Sequence, residues 1–113
     1  IPIEVKDYTD WTPKRVYYLL HGKGSRGGHS HGHENELFVC IQGKITAKLH
    51  DGKDWITKEL SGPGDAVRVD NNIWHEFNGF SNDAILLAIS STNYTPSDYD
   101  RDFDHFLNKK RND

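Results

Sequence analysis

Apolar residues along this chain fall in short runs, each of strand length and each closed by Gly, Asn, Asp or Pro. The runs cover residues 16–20, 37–41, 45–49, 55–60, 66–69 and 84–89. In 45–49 apolar and polar residues alternate, as on a strand with one buried face. The breaks predict two hairpins, a tight one at Gln42-Gly43 and a second at Asp51-Gly52-Lys53-Asp54, and two further turns at Ser61-Gly62-Pro63-Gly64-Asp65 and Asn71-Asn72. A strand roughly every ten residues predicts an all-β sandwich or barrel. No long helical period precedes residue 96. Residues 96–107 predict a short C-terminal helix, capped by Ser97, with Tyr99, Phe103, Phe106 and Leu107 on one face. The acidic stretch 98–104 reads as the solvated side of that helix. Nothing marks a repeat, linker or second domain, so residues 1–113 read as one domain.

Composition narrows the function. The net charge of -3 carries no basic face for nucleic acid or a membrane surface. The basic run Lys109-Lys110-Arg111 reads as a solvated tail. No apolar run approaches the ~20 residues of a membrane span. The single cysteine, Cys40, sits in an apolar run and reads as a small buried hydrophobe. A chain that forms no internal disulfide suits a reducing, cytoplasmic location.

Chemistry concentrates in the histidines. His29 and His31 are two apart, so a strand projects both from one face. Gly32 and Asn35 permit a turn, after which Glu36 returns toward the same cavity. His75 lies downstream in Ile73-Trp74-His75-Glu76. His33 reads as exposed in the turn, and His21, His50 and His105 as surface or hydrogen-bonded core residues.

The spacing of His29, His31, Glu36 and Gly43 resembles the first cupin motif, and Gly64-Asp65 with Trp74-His75 the second. The resemblance implies a cupin jelly-roll barrel in which His29, His31, Glu36 and His75 converge. More narrowly, five ordered segments resemble the WxcM-like cupins: 14–18, 26–31, 73–76, 83–87 and 98–103. That family includes 3,4-ketoisomerases of dTDP-4-oxo-6-deoxyhexoses. Its members usually have Gln at the place of Glu36 and a basic residue at the place of Gly32.

This resemblance implies histidine acid/base catalysis by His29 and His31, with His31 taking the larger share and His75 lining the same pocket. A dTDP-linked sugar would be the partner. Arg26, Arg15 and Arg68 are candidates for its pyrophosphate. Tyr17, Tyr18 and Trp74 are candidates for its thymine or sugar. No cofactor is implied, and a homodimer, with strands exchanged between copies, is. Two alternatives stay open. One is a metal-dependent enzyme on another small molecule, with a divalent transition metal on His29, His31, Glu36 and His75. The other is a non-catalytic module that binds a nucleotide sugar.

Overall fold

The structure is a computed structural model that describes residues 1–20 and 24–112. His21 therefore lies outside the described residues. Strands β1 (Arg15–Leu20), β2 (Arg26–His31), β3 (Glu36–Gln42), β4 (Lys44–His50), β5 (Trp55–Ser61), β6 (Ala66–Val69), β7 (Trp74–Asn78), β8 (Ile85–Ser90) and β9 (Tyr99–Asp100) precede one helix, α1 (Phe103–Asn112). They form two antiparallel sheets, β1-β8-β3-β6 and β5-β4-β7-β2-β9. The sheets face each other in the jelly-roll arrangement of the cupins. Phe38, Ile45, Leu60, Phe77 and Leu86 fill the space between them. Fully burying each such side chain contributes about 1.5–3 kcal/mol. Cys40 sits among them, as expected.

The expected strands are present, and so are the expected turns, but one of the two expected hairpins is not a hairpin. Only Asp51–Asp54 closes a hairpin, between β4 and β5, where Asp51 Oδ1 accepts from the backbone N–H groups of Lys53 and Asp54. Gln42-Gly43 turns a corner instead, because β3 and β4 belong to different sheets. Gly43 has φ 76°, and a Cβ there would lie 2.9 Å from Ala84 Cα. The turns after β5 and β6 likewise carry the chain from one sheet to the other.

The expected C-terminal helix begins later than predicted. A short 3-10 turn, Pro96–Asp98, leads into β9, which pairs with β2. Asp102, not Ser97, caps α1: its Oδ1 accepts from the backbone N–H of His105 at 3.1 Å. Tyr99 is thus a strand residue rather than a helical one. Phe103 and Phe106 dock α1 against Trp74 on the outer face of the second sheet. Ile3, Val5 and Trp11 cover Leu37, Val39 and Ile89 on the outer face of the first.

Candidate active site

A bulge in β2 builds the site. Gly27 pairs with Glu76 and His29 with His75, which leaves Gly28 between them without a partner. Gly27 and Gly28 have φ 86° and 78°, and a Cβ on Gly27 would lie 2.9 Å from the His75 carbonyl oxygen. The extra residue puts Arg26, opposite Phe77, on the same inner face as His29. On β1 the alternation turns Arg15, Tyr17 and Leu19 inward and leaves Val16, Tyr18 and Leu20 outside.

These faces enclose a cavity of about 450 Å³, a size suited to a small ligand. Phe38, Phe77 and Leu86 form an apolar floor, and His29 and His75 stand on one wall. Their ring centroids are 4.6 Å apart. Tyr99 stacks 4.8 Å from His29, and the guanidinium of Arg101 lies 5.0 Å from the Tyr99 ring. His31 sits behind this wall. It is 3% exposed, its ring is 4.7 Å from that of His29, and it does not line the cavity.

Behind His31 lies a buried polar cluster. Glu34 Oε2 accepts from Arg15 Nη2 at 2.7 Å and from the Ser90 hydroxyl at 2.5 Å. Glu36 Oε2 accepts from the Tyr17 hydroxyl at 2.5 Å. Glu36 Oε1 faces His31 Nδ1 at 3.3 Å and His75 Nε2 at 3.7 Å. Glu34 Oε1 faces His31 Nε2 at 3.8 Å.

Burial dominates the acid–base state of these groups. Burial, then the charge of Arg101, holds His29 down to about 4. His31 is held to about 3 by burial, with His29, Arg15 and Arg101 adding to it. Burial keeps His75 well below its ordinary range. Burial pushes Glu36 up to about 8; the Tyr17 hydrogen bond opposes this and Glu34 adds to it. The three imidazoles are therefore neutral near pH 7.

The family model described as FdtA: WxcM-like, C-terminal, matches residues 2–111. The chain belongs to this family. A TDP-4-oxo-6-deoxy-alpha-D-glucose-3,4-oxoisomerase of Aneurinibacillus thermoaerophilus is 32% identical over 108 residues, which cover 94% of this chain and 78% of the relative. The 3,4-ketoisomerase QdtA of Thermoanaerobacterium thermosaccharolyticum, solved in complex with TDP, superimposes with a TM-score of 0.90 at 27% identity, covering 98% of this chain and 82% of that one. A 3,4-ketoisomerase from Helicobacter canadensis gives 0.86 at 30% identity, over 89% and 77%.

Within this WxcM-like chain the structure sorts the predicted site residues. His29, His75, Arg15 and Arg26 line the cavity. Three predicted binders do not. Tyr18 is 61% exposed on the outer face of β1, and its neighbour Tyr17 takes the inner position. Trp74 faces away from the cavity, because alternation places it opposite in sense to His75; it packs under α1 and donates its indole N–H to Glu76. Arg68 lies outside the cavity, donating to Asp70 at 2.6 Å and to the Tyr8 carbonyl.

Four residues escaped the sequence reading. Glu34 resembled a turn residue, Tyr94 lies in an unpatterned loop, and Tyr99 and Arg101 lay in a stretch read as a helix. His50 and His105 have structural partners, Gly52 N–H and Asp100.

Two overlapping groups of donors are spaced for a metal: His29, His31 and His75, and His31, Glu34 and Glu36. Glu36 thus groups with Glu34 as well as facing two of the histidines. Unpartnered Nδ1 of His29 and Nε2 of His75 have the neutral imidazole character a divalent ion requires.

Proposed function

We infer that this chain is a sugar-nucleotide 3,4-ketoisomerase that acts on a dTDP-4-oxo-6-deoxyhexose. The observation that carries this is a neutral histidine, His29, facing a sugar-sized cavity with cations at its edge, in a chain of the ketoisomerase family. In the reaction, the C3 hydrogen leaves as a proton, acidified by the C4 ketone. The enediolate takes a proton on O4. C4 is then protonated as the C3 hydroxyl loses its proton and becomes the ketone.

His29 is the group we assign to the C3 proton, because it lines the cavity while His31 stands behind it. This reverses the larger share expected for His31. His75 lies across from His29 and is placed to hold the sugar oxygens. The pyrophosphate falls to Arg26 and Arg101, both exposed and both on the cavity. Arg15 gives Nη2 to Glu34, while its Nε and Nη1 have no partner. A bound pyrophosphate offsets the charge of Arg101, the lesser of the two causes that hold His29 down.

We propose that this chemistry needs no metal. Arg101 and Arg15, which already press on the histidines, oppose a second positive centre there. Turnover that persists after exhaustive chelation, with less than about a tenth of an equivalent of metal, is the expected result. Loss of turnover restored by one divalent ion would favour the metal-dependent alternative.

We also propose a homodimer built on β1. It is an edge strand, and Val16, Tyr18 and Leu20 form an exposed apolar row on it. Light scattering of the purified protein tests this; a Tyr18→Lys variant should be monomeric. A cytoplasmic location agrees with the substrate class, and fractionation tests it.

The assay for the function is incubation with dTDP-4-oxo-6-deoxyglucose and identification of the sugar by NMR. Conversion to the 3-oxo isomer is expected. Unchanged sugar with bound nucleotide would support the non-catalytic binding reading instead.

A further inference from the structure

Two carboxyl groups share the buried wall behind His31, yet among the described residues a single Arg or Lys pairs with them. Both side chains, Glu34 and Glu36, have 0% exposure. Glu34 has the guanidinium of Arg15 and the Ser90 hydroxyl. Glu36 makes no ion pair with Lys or Arg among the described residues; its firm partner is the neutral Tyr17 hydroxyl. Two buried carboxyl groups that face one imidazole ring disfavour a second negative charge there, and the guanidinium of Arg15 lies on Glu34, not on Glu36.

The unpartnered atoms say where the proton sits. Glu36 Oε1, Glu34 Oε1 and His31 Nε2 are all buried without a hydrogen bond, as are His75 Nε2, 3.7 Å from Glu36 Oε1, and Nε and Nη1 of Arg15. Buried polar atoms are rarely left so. A proton on Glu36 Oε1 makes that atom a donor toward His31 Nδ1, 3.3 Å away, and leaves the His31 proton on Nε2, which faces Glu34 Oε1 at 3.8 Å, too far for a hydrogen bond. We propose that Glu36 works as an un-ionised carboxylic acid that donates to His31 Nδ1, and that ionised Glu34 holds it in that form. The pair are positioning residues. They fix the tautomer and the angle of the ring on which His29 packs.

From β1, the Tyr17 hydroxyl donates to Oε2 and the charge of Arg15 reaches Glu36; both favour the carboxylate, but less than burial favours the acid. From β7, His75 is neutral. From β9, Tyr99 is kept protonated, chiefly by burial. Burial itself favours the neutral acid.

The role in catalysis rests on the ketoisomerase reading, but the protonation state does not, so the test has two arms. The first is infrared spectroscopy of the resting protein. A carboxylic-acid carbonyl band is expected at neutral pH, fading as the pH passes about 8 and absent from Glu36→Gln. No band, or a band that survives in Glu36→Gln, overturns the proposal whether or not the protein turns over any sugar. The second is the pH profile of kcat. Wild type should lose activity on the alkaline side as Glu36 ionises. Glu36→Gln, which cannot ionise, should lack that limb. Glu34→Gln should move it to lower pH, since the charge that keeps Glu36 neutral is gone and Arg15 is freed. An unchanged alkaline limb in both variants overturns the positioning role even where the infrared band is present.

Discussion

Removing either partner of the Arg15–Glu34 pair should cost the fold unequal amounts. The Glu34 side chain is fully buried, whereas that of Arg15 is 18% exposed and reaches the cavity. In Arg15→Met the carboxylate loses its 2.7 Å contact and keeps only the Ser90 hydroxyl. Stranding a buried charge costs about 3–5 kcal/mol, and the partial exposure of this pair places it near 3. In Glu34→Gln the guanidinium is left beside the cavity, where water solvates it, and it keeps its stacking on Tyr17 and Tyr94. The loss there is one charge-assisted hydrogen bond, about 1.5 kcal/mol. For a 113-residue chain each kcal/mol is worth about 4 °C in Tm, so the drops should be about 12 and 6 °C. Equilibrium urea unfolding of both variants measures the difference. A cost below about 1 kcal/mol for Arg15→Met, or a larger cost for Glu34→Gln, would refute the picture of one cation serving a buried carboxylate.

Trp74→Ala should destabilise by about 3 kcal/mol, measured by urea unfolding, while leaving dTDP affinity unchanged, because the indole packs under α1 rather than in the cavity. Arg101→Ala should weaken dTDP binding by about tenfold or more by calorimetry, with a shallower salt dependence. Stability should fall as the pH drops below about 6.5. There the unfolded chain takes up protons on His29, His31 and His75 that the folded chain refuses, at up to about 1.4 kcal/mol per pH unit for each group. Glu36 acts in the opposite sense, binding its proton in the fold up to about 8 and so costing stability as the pH rises. Urea midpoints across pH 4–8 check the sum.

The strands and the histidine face were legible because both rest on period-two alternation, which is local. The same rule puts Trp74 outside once His75 is inside, which the reading of Trp74 as a binder overlooked. It did not choose between Tyr17 and Tyr18, since β1 has apolar or aromatic residues on both faces. Corner and hairpin look alike in sequence: what makes Gln42-Gly43 a corner is the approach of Ala84, some forty residues away. Glu34 was out of reach for the same reason. Its burial depends on Arg15 and Ser90, from strands distant in sequence, and nothing in Gly32-His33-Glu34-Asn35 announces them. Arg101 was hidden by the acidic residues around it, which mimic a solvated helix face.

The central claim is that His29, at the cavity wall, moves the C3 proton of a dTDP-4-oxo-6-deoxyhexose. NMR in deuterated water tests it most directly. Wild type should place deuterium at C3 of the recovered substrate and at C4 of the product. His29→Asn should bind dTDP with unchanged affinity yet lose about 10²–10⁴-fold in exchange rate. A His29→Asn protein that exchanges C3 as fast as wild type would contradict the account.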